Sequence, residues 1–243
     1  MIMIKSIFSY FCFVIFMIGS IYKKIKLNYL RKHVSFEAAQ LYLHKCVKGW
    51  GDFVLNAIGM KVDVVGFENI PKESCLFVAN HQGSIDIPLL VAKSGRIVGF
   101  IAKKEMLKFR FMSSWAKEVH CVFMDRSNIR ESVKSINEGV DFLKKGYSLI
   151  IFPEGTRSKG PNLGEFKKGS MKLGTKSGVP MVPVTIDGSF AARDVNKFNI
   201  LKPCKVTLTF SKPIYPSELS REEQGNLAET IKGIISENLK LNK

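Results

Sequence analysis

The chain has 243 residues, 46% of them apolar, enough for one α/β core with a short appendage rather than two independent domains. Lys and Arg number 37 against 21 Asp and Glu, a net charge of +16 that calls for an anionic partner: nucleic acid, a phospholipid surface or a phosphorylated substrate. Five cysteines with no C-x-x-C pair and four scattered histidines argue against a zinc or redox centre and fit a reducing, cytosolic setting, so no metal is expected.

Residues 6–22 form an uncharged apolar run, about 26 Å long as a helix at ~1.5 Å per residue, slightly short of a ~30 Å hydrocarbon core. Lys5 precedes it, and Lys23, Lys24, Lys26, Arg31 and Lys32 follow, a basic side that would stay cytoplasmic. The run can span the bilayer or lie within it, and a cleaved signal peptide is disfavoured because no A-x-A-like site follows. The stretch from Ser35 to Met60 reads as an amphipathic helix interrupted near Gly49 and Gly51, suited to the headgroup region or to packing on the domain. Residues 1–60 are therefore expected to be membrane-attachment helices and residues 61–243 the catalytic domain.

From Lys61 onward, short apolar runs alternate with helical ones, the pattern of an α/β sheet. Strands are expected at 62–65, 75–79, 97–101, 121–124, 148–152, 181–186 and 205–210. Helices are expected at 87–93, 104–117, 129–145, 170–177 and 221–239, the last opening with a Ser220/Glu223 capping box.

The stretch Asn80-His81-Gln82-Gly83-Ser84-Ile85-Asp86 directly follows an apolar strand. On one helix, residues five apart sit about 140° round the axis, so only a turn can bring His81 and Asp86 together. At the C-terminal edge of a sheet, Asp86 could hold the imidazole in one tautomer while the other nitrogen takes a proton from a substrate hydroxyl. The same residues also fit a plainer reading, in which His81 is a satisfied loop histidine and Asp86 the N-cap of the following helix.

Phe152-Pro153-Glu154-Gly155-Thr156-Arg157-Ser158 also follows an apolar strand and so reaches the same edge. Gly155 permits close backbone approach, Arg157 offers a donor fork suited to phosphate, and Glu154 can orient that fork or a nearby lysine. An ordinary surface turn is the alternative. Lys103, Lys104, Arg126 and Lys167 fall at comparable places, and their recurrence after strand ends suggests one anion-binding crevice. There is no G-x-S-x-G elbow, no P-loop lysine, and no basic helix interleaved with base-stacking aromatics, so serine hydrolysis, nucleotide hydrolysis and nucleic-acid binding are not expected.

NHQGSID, KKEML leading to VFMDR, FPEGTRS and VPMVPVTI resemble, in that order, the four sequence blocks of the lysophosphatidate acyltransferase (1-acylglycerol-3-phosphate O-acyltransferase) family. The resemblance implies an α/β acyltransferase domain with a mixed, largely parallel sheet flanked by helices, an apolar tunnel for the acyl chain, and an N-terminal helical element in one leaflet. It implies His81 as general base with Asp86 as its partner. Lys103, Lys104, Arg126, Glu154, Gly155, Thr156, Arg157 and Lys167 would shape the phosphate and acceptor site. The expected substrates are lysophosphatidate and an acyl thioester, acyl-CoA or acyl carrier protein, with no cofactor, at the cytoplasmic face of the cell membrane. Glycerol 3-phosphate or another lysophospholipid is the alternative acceptor, and a non-catalytic protein bound to anionic lipid is the alternative of another class. Where the family carries a Pro-x-x-Gly turn in its second block, Lys108 to Ser113 has neither residue.

Overall fold

The computed structural model describes residues 2–193 and 200–242; the side chains of residues 2–9 and 13 fall outside it, and with them part of the expected 6–22 run. Two helices, α1 (Ile2–His33) and α2 (Phe36–Ile58), precede the sheet. The rest is β1 (Lys61–Val65), β2 (Leu76–Ala79), α3 (Asp86–Lys93), β3 (Val98–Lys103), α4 (Arg110–Glu118), β4 (Val122–Met124), α5 (Ile129–Lys144), β5 (Ser148–Ile151), α6 (Lys172–Ser177), β6 (Met181–Asp187), β7 (Lys205–Phe210) and α7 (Arg221–Leu241). All seven expected strands are present, each within two residues of its expected bounds.

The strands form one sheet in the order β1-β7-β6-β2-β5-β3-β4. Every neighbouring pair is parallel except β6 and β7. The C-terminal ends of β6, β2, β5, β3 and β4 therefore share one edge, where α/β folds place their ligands. Strand periodicity divides the core in two. Phe77 and Ala79 face a cluster with Leu89, Leu90 and Phe210, while Leu76 and Val78 face one with Leu143, Leu227 and Ile231 from α5 and α7. Burial on both sides explains why β2 reads as an unbroken apolar run and β5 as one after its first residue, Ser148.

The expected break near Gly49 and Gly51 does not occur: α2 runs unbroken, from Ser35, whose hydroxyl accepts the Ala38 N–H, to Gly59 at φ 78°. Gly51 instead marks a close crossing. A Cβ there would lie 2.7 Å from the Pro88 carbonyl and 2.9 Å from Ala92 Cβ, so the glycine lets α2 press against α3. The expected helix over 104–117 is divided at Phe109 into a 3-10 turn, Lys104–Lys108, and α4.

The apolar N-terminal run continues into its basic flank as one 32-residue helix, about 48 Å long. Among the described residues no helix is long and apolar enough to cross a membrane. Lys24 and Arg31 pair with Glu118 at 2.8 and 2.6 Å and fasten α1 to α4.

Candidate active site

Residues 80–85 form a loop in which the Asp86 N–H turns back to the Gly83 carbonyl at 3.4 Å. The loop brings His81 Nδ1 to 2.7 Å from Asp86 Oδ2. Asp86 is fully buried and is the first residue of α3, not its N-cap. Its Oδ2 reaches backward to accept the Gly83 N–H at 2.9 Å, so the plainer reading of a forward-facing helix cap does not hold. A carboxylate only accepts, so Nδ1 carries the proton and, in the neutral imidazole, Nε2 is the acceptor. The imidazole also stacks on Phe152, with ring centroids 4.0 Å apart, which fixes its plane.

The loop after β5 is bonded onto this one. Glu154 accepts the His81 backbone N–H at 2.7 Å through Oε1 and the Gly164 N–H at 2.9 Å through Oε2. Ser158 and Lys159 donate backbone N–H groups to the carbonyls of His81 and Gln82 at 2.8 and 3.1 Å. Both Glu154 oxygens thus accept from loop backbone. Burial raises its pKa above the ordinary value, with the two N–H bonds opposing that shift.

The expected basic residues gather along the same edge. Arg126, after β4, donates to the Gly155 carbonyl and ties the two loops. Gly155 adopts φ 72°, and a Cβ on it would meet Lys167 Nζ at 3.0 Å, so this ammonium lies against the turn. Lys103 ends β3 and Lys104 opens the 3-10 turn after it, both exposed, with Lys104 sitting 3.6 Å from Asp125. Thr156 and Arg157 are exposed on the loop bonded to His81.

A family model described as Acyltransferase matches residues 61–187 of this chain, a span that holds His81, Asp86 and the whole FPEGTRS loop. The chain belongs to the acyltransferase family. This acyltransferase superimposes on the crystal structure of the 1-acyl-sn-glycerophosphate (LPA) acyltransferase PlsC from Thermotoga maritima with a TM-score of 0.86 at 28% identity, covering 98% of this chain and 94% of that one. The match takes in the N-terminal helices. A Mycoplasma pneumoniae protein named probable 1-acyl-sn-glycerol-3-phosphate acyltransferase is 34% identical over 190 residues, 74% of this chain and 71% of its own length. The Saccharomyces cerevisiae 1-acyl-sn-glycerol-3-phosphate acyltransferase is 31% identical over 190 residues, 75% of this chain and 61% of its own.

An apolar cleft of this acyltransferase lies where α1 and α2 cover the sheet, with about 890 Å³ of empty space, part of it open to solvent. Phe16, Trp50, Phe100, Ala102, Ala116 and Phe123 are among the residues lining it.

Site residues also come from outside the expected set. Asn80 bonds both backbone groups of Ile186, at 2.9 and 2.7 Å, and Gln82 Oε1 accepts the Gly188 N–H at 2.9 Å. Ser189 donates its hydroxyl to Asp86 Oδ1. The available signal was position: Gly188 and Ser189 directly follow a strand that ends at the ligand edge.

Proposed function

We propose that this acyltransferase moves a fatty acyl group from an acyl-CoA or acyl carrier protein thioester to the sn-2 hydroxyl of 1-acyl-sn-glycerol 3-phosphate, forming phosphatidic acid. The observation that carries the reading is the 2.7 Å contact between His81 Nδ1 and Asp86 Oδ2, which presents Nε2 as a proton acceptor. Nε2 takes the hydroxyl proton as the oxygen attacks the thioester carbonyl. The tetrahedral intermediate then collapses, the C–S bond breaks, and the imidazolium returns its proton to the departing thiolate. No acyl-enzyme is required.

Arg157, Lys167, Lys104 and Arg126 supply positive charge along the edge that carries His81, and the acceptor phosphate seated there holds the neighbouring hydroxyl close to Nε2. The apolar cleft under α1 and α2 takes the acyl chain. Membrane attachment is supported by a stripe along α1: Phe11, Val14, Ile15, Ile18, Ile21, Tyr22, Ile25 and Tyr29 recur at helical spacing and are 51–70% exposed. With Lys23 and Lys26 nearby, that stripe suits an anionic leaflet at the cytoplasmic face of the cell membrane.

The test is acyl transfer by the purified chain with one labelled thioester of each donor type and three acceptors: lysophosphatidate, glycerol 3-phosphate and a lysophospholipid whose phosphate is esterified. Preference for lysophosphatidate, lost in Arg157→Ala through a higher acceptor KM, supports the reading. Equal turnover of all three acceptors overturns it.

A further inference from the structure

Asp86 is fully buried, and a buried carboxylate needs donors on both oxygens if it is to stay ionised and in place. Two donors, His81 Nδ1 and the Gly83 N–H, converge on Oδ2. Oδ1 takes its bond from the hydroxyl of Ser189, which is itself fully buried. Ser189 lies 103 residues further along the chain, beyond the FPEGTRS block and just after β6.

Its place is built by three side chains of residues 80–86, which in turn grip the end of β6 and the two residues after it. Asn80 closes a pair of hydrogen bonds on the Ile186 backbone, Gln82 accepts from Gly188, and Asp86 accepts from Ser189. Gly188 makes the turn possible. Its φ of 96° and the Lys205 carbonyl 2.6 Å from where a Cβ would lie leave room for no other residue.

We infer that Ser189 is a positioning residue for acyl transfer: its hydroxyl locks the Asp86 carboxylate in the rotamer that keeps Oδ2 on His81 Nδ1 and Nε2 facing the acceptor hydroxyl. The inference rests on the reading of His81 as the base. Without the hydroxyl, Oδ1 loses a donor, the carboxylate gains rotational freedom, and the imidazole spends less time in the productive tautomer and orientation.

The experiment compares the full-length chain with Ser189→Ala, Ser189→Thr, His81→Ala, Asp86→Asn and the Asp86→Asn/Ser189→Ala double variant. Ser189→Ala is expected to lower kcat about tenfold, the range of a hydrogen bond to a charged group felt in the transition state, with acceptor KM within about twofold. Ser189→Thr, which keeps the hydroxyl, is expected to restore most of kcat. In the Asp86→Asn background, Ser189→Ala should cost nothing further. The downfield Nδ1 proton resonance of His81, identified by its loss in His81→Ala, should weaken in Ser189→Ala and persist in Ser189→Thr. Parental kcat in Ser189→Ala overturns the inference, as does a full tenfold loss recurring on the Asp86→Asn background. Equal loss in the Ala and Thr variants overturns it too, and keeps it falsifiable if the Ala variant folds poorly. Failure of the underlying reading looks different: His81→Ala would itself retain turnover.

Discussion

The backbone N–H of His81 donates to the side chain of Glu154 at 2.7 Å, so the loop after β2 is held in place by the loop after β5. The second oxygen of Glu154 accepts from Gly164 at 2.9 Å, and the carboxylate becomes a bridge between three backbone segments. An amide in its place can accept through only one atom and turns an NH2 toward a backbone N–H. Glu154→Gln is therefore expected to cost about 1–3 kcal/mol of stability and to lower kcat/KM by loosening His81. Burial raises the Glu154 pKa in the folded chain above its ordinary value of 4.5. A raised folded pKa means that the unfolded chain ionises first, so this contribution to stability is full below the ordinary value and declines as pH rises through the folded one. The stability gap between the parent and Glu154→Gln should narrow over that interval in denaturant titrations; a gap that widens would contradict the assignment.

Removing the imidazole tests the chemistry more directly. His81→Ala should cut turnover by roughly two to four orders of magnitude, the usual contribution of a general base, while vesicle binding stays at the parental level. Unchanged turnover would exclude His81 from the reaction.

The α2–α3 crossing offers a test of architecture. Gly51→Ala gains helix propensity of about 1 kcal/mol, yet its Cβ would sit 2.7 Å from the Pro88 carbonyl, a backbone atom that cannot swing aside. Overpacking typically costs about 1–3 kcal/mol, so the clash wins and Tm should fall by several degrees. Since α3 begins at Asp86, kcat should fall as well. Thermal unfolding followed by circular dichroism measures the first effect and the acyl-transfer assay the second.

Filling the apolar cleft should change which donor is used. Ala116, on α4, lines it, and Ala116→Phe would occupy space proposed for the acyl chain. One methylene in a closed apolar pocket is worth about tenfold or more in discrimination. The ratio of kcat/KM for long over short acyl donors should therefore drop by at least about tenfold, with acceptor KM unchanged. An unaltered ratio would place the acyl chain elsewhere.

The strands and the two polar loops at their ends were legible in the sequence because each depends on local pattern. A strand buried on both faces, such as Leu76–Ala79, must be apolar at every position, and a polar cluster directly after it marks the ligand edge. The turn between His81 and Asp86 followed from helix geometry alone. The α2 misreading has an equally local cause: a glycine that breaks a helix and one that admits a neighbouring helix look alike until the neighbour is known.

Strand order, the bridge from Glu154 to His81, the grip of residues 80–86 on the end of β6, and the cleft beneath α1 and α2 belong to the tertiary structure alone. Each joins groups many tens of residues apart, and such pairing is set by which faces must be buried together, a requirement that leaves no periodicity along the chain. Sequence therefore determined which chemistry is present and on which edge it would gather. Packing decided how it is held, because the partners of a buried carboxylate are chosen by the space around it rather than by its neighbours in the chain.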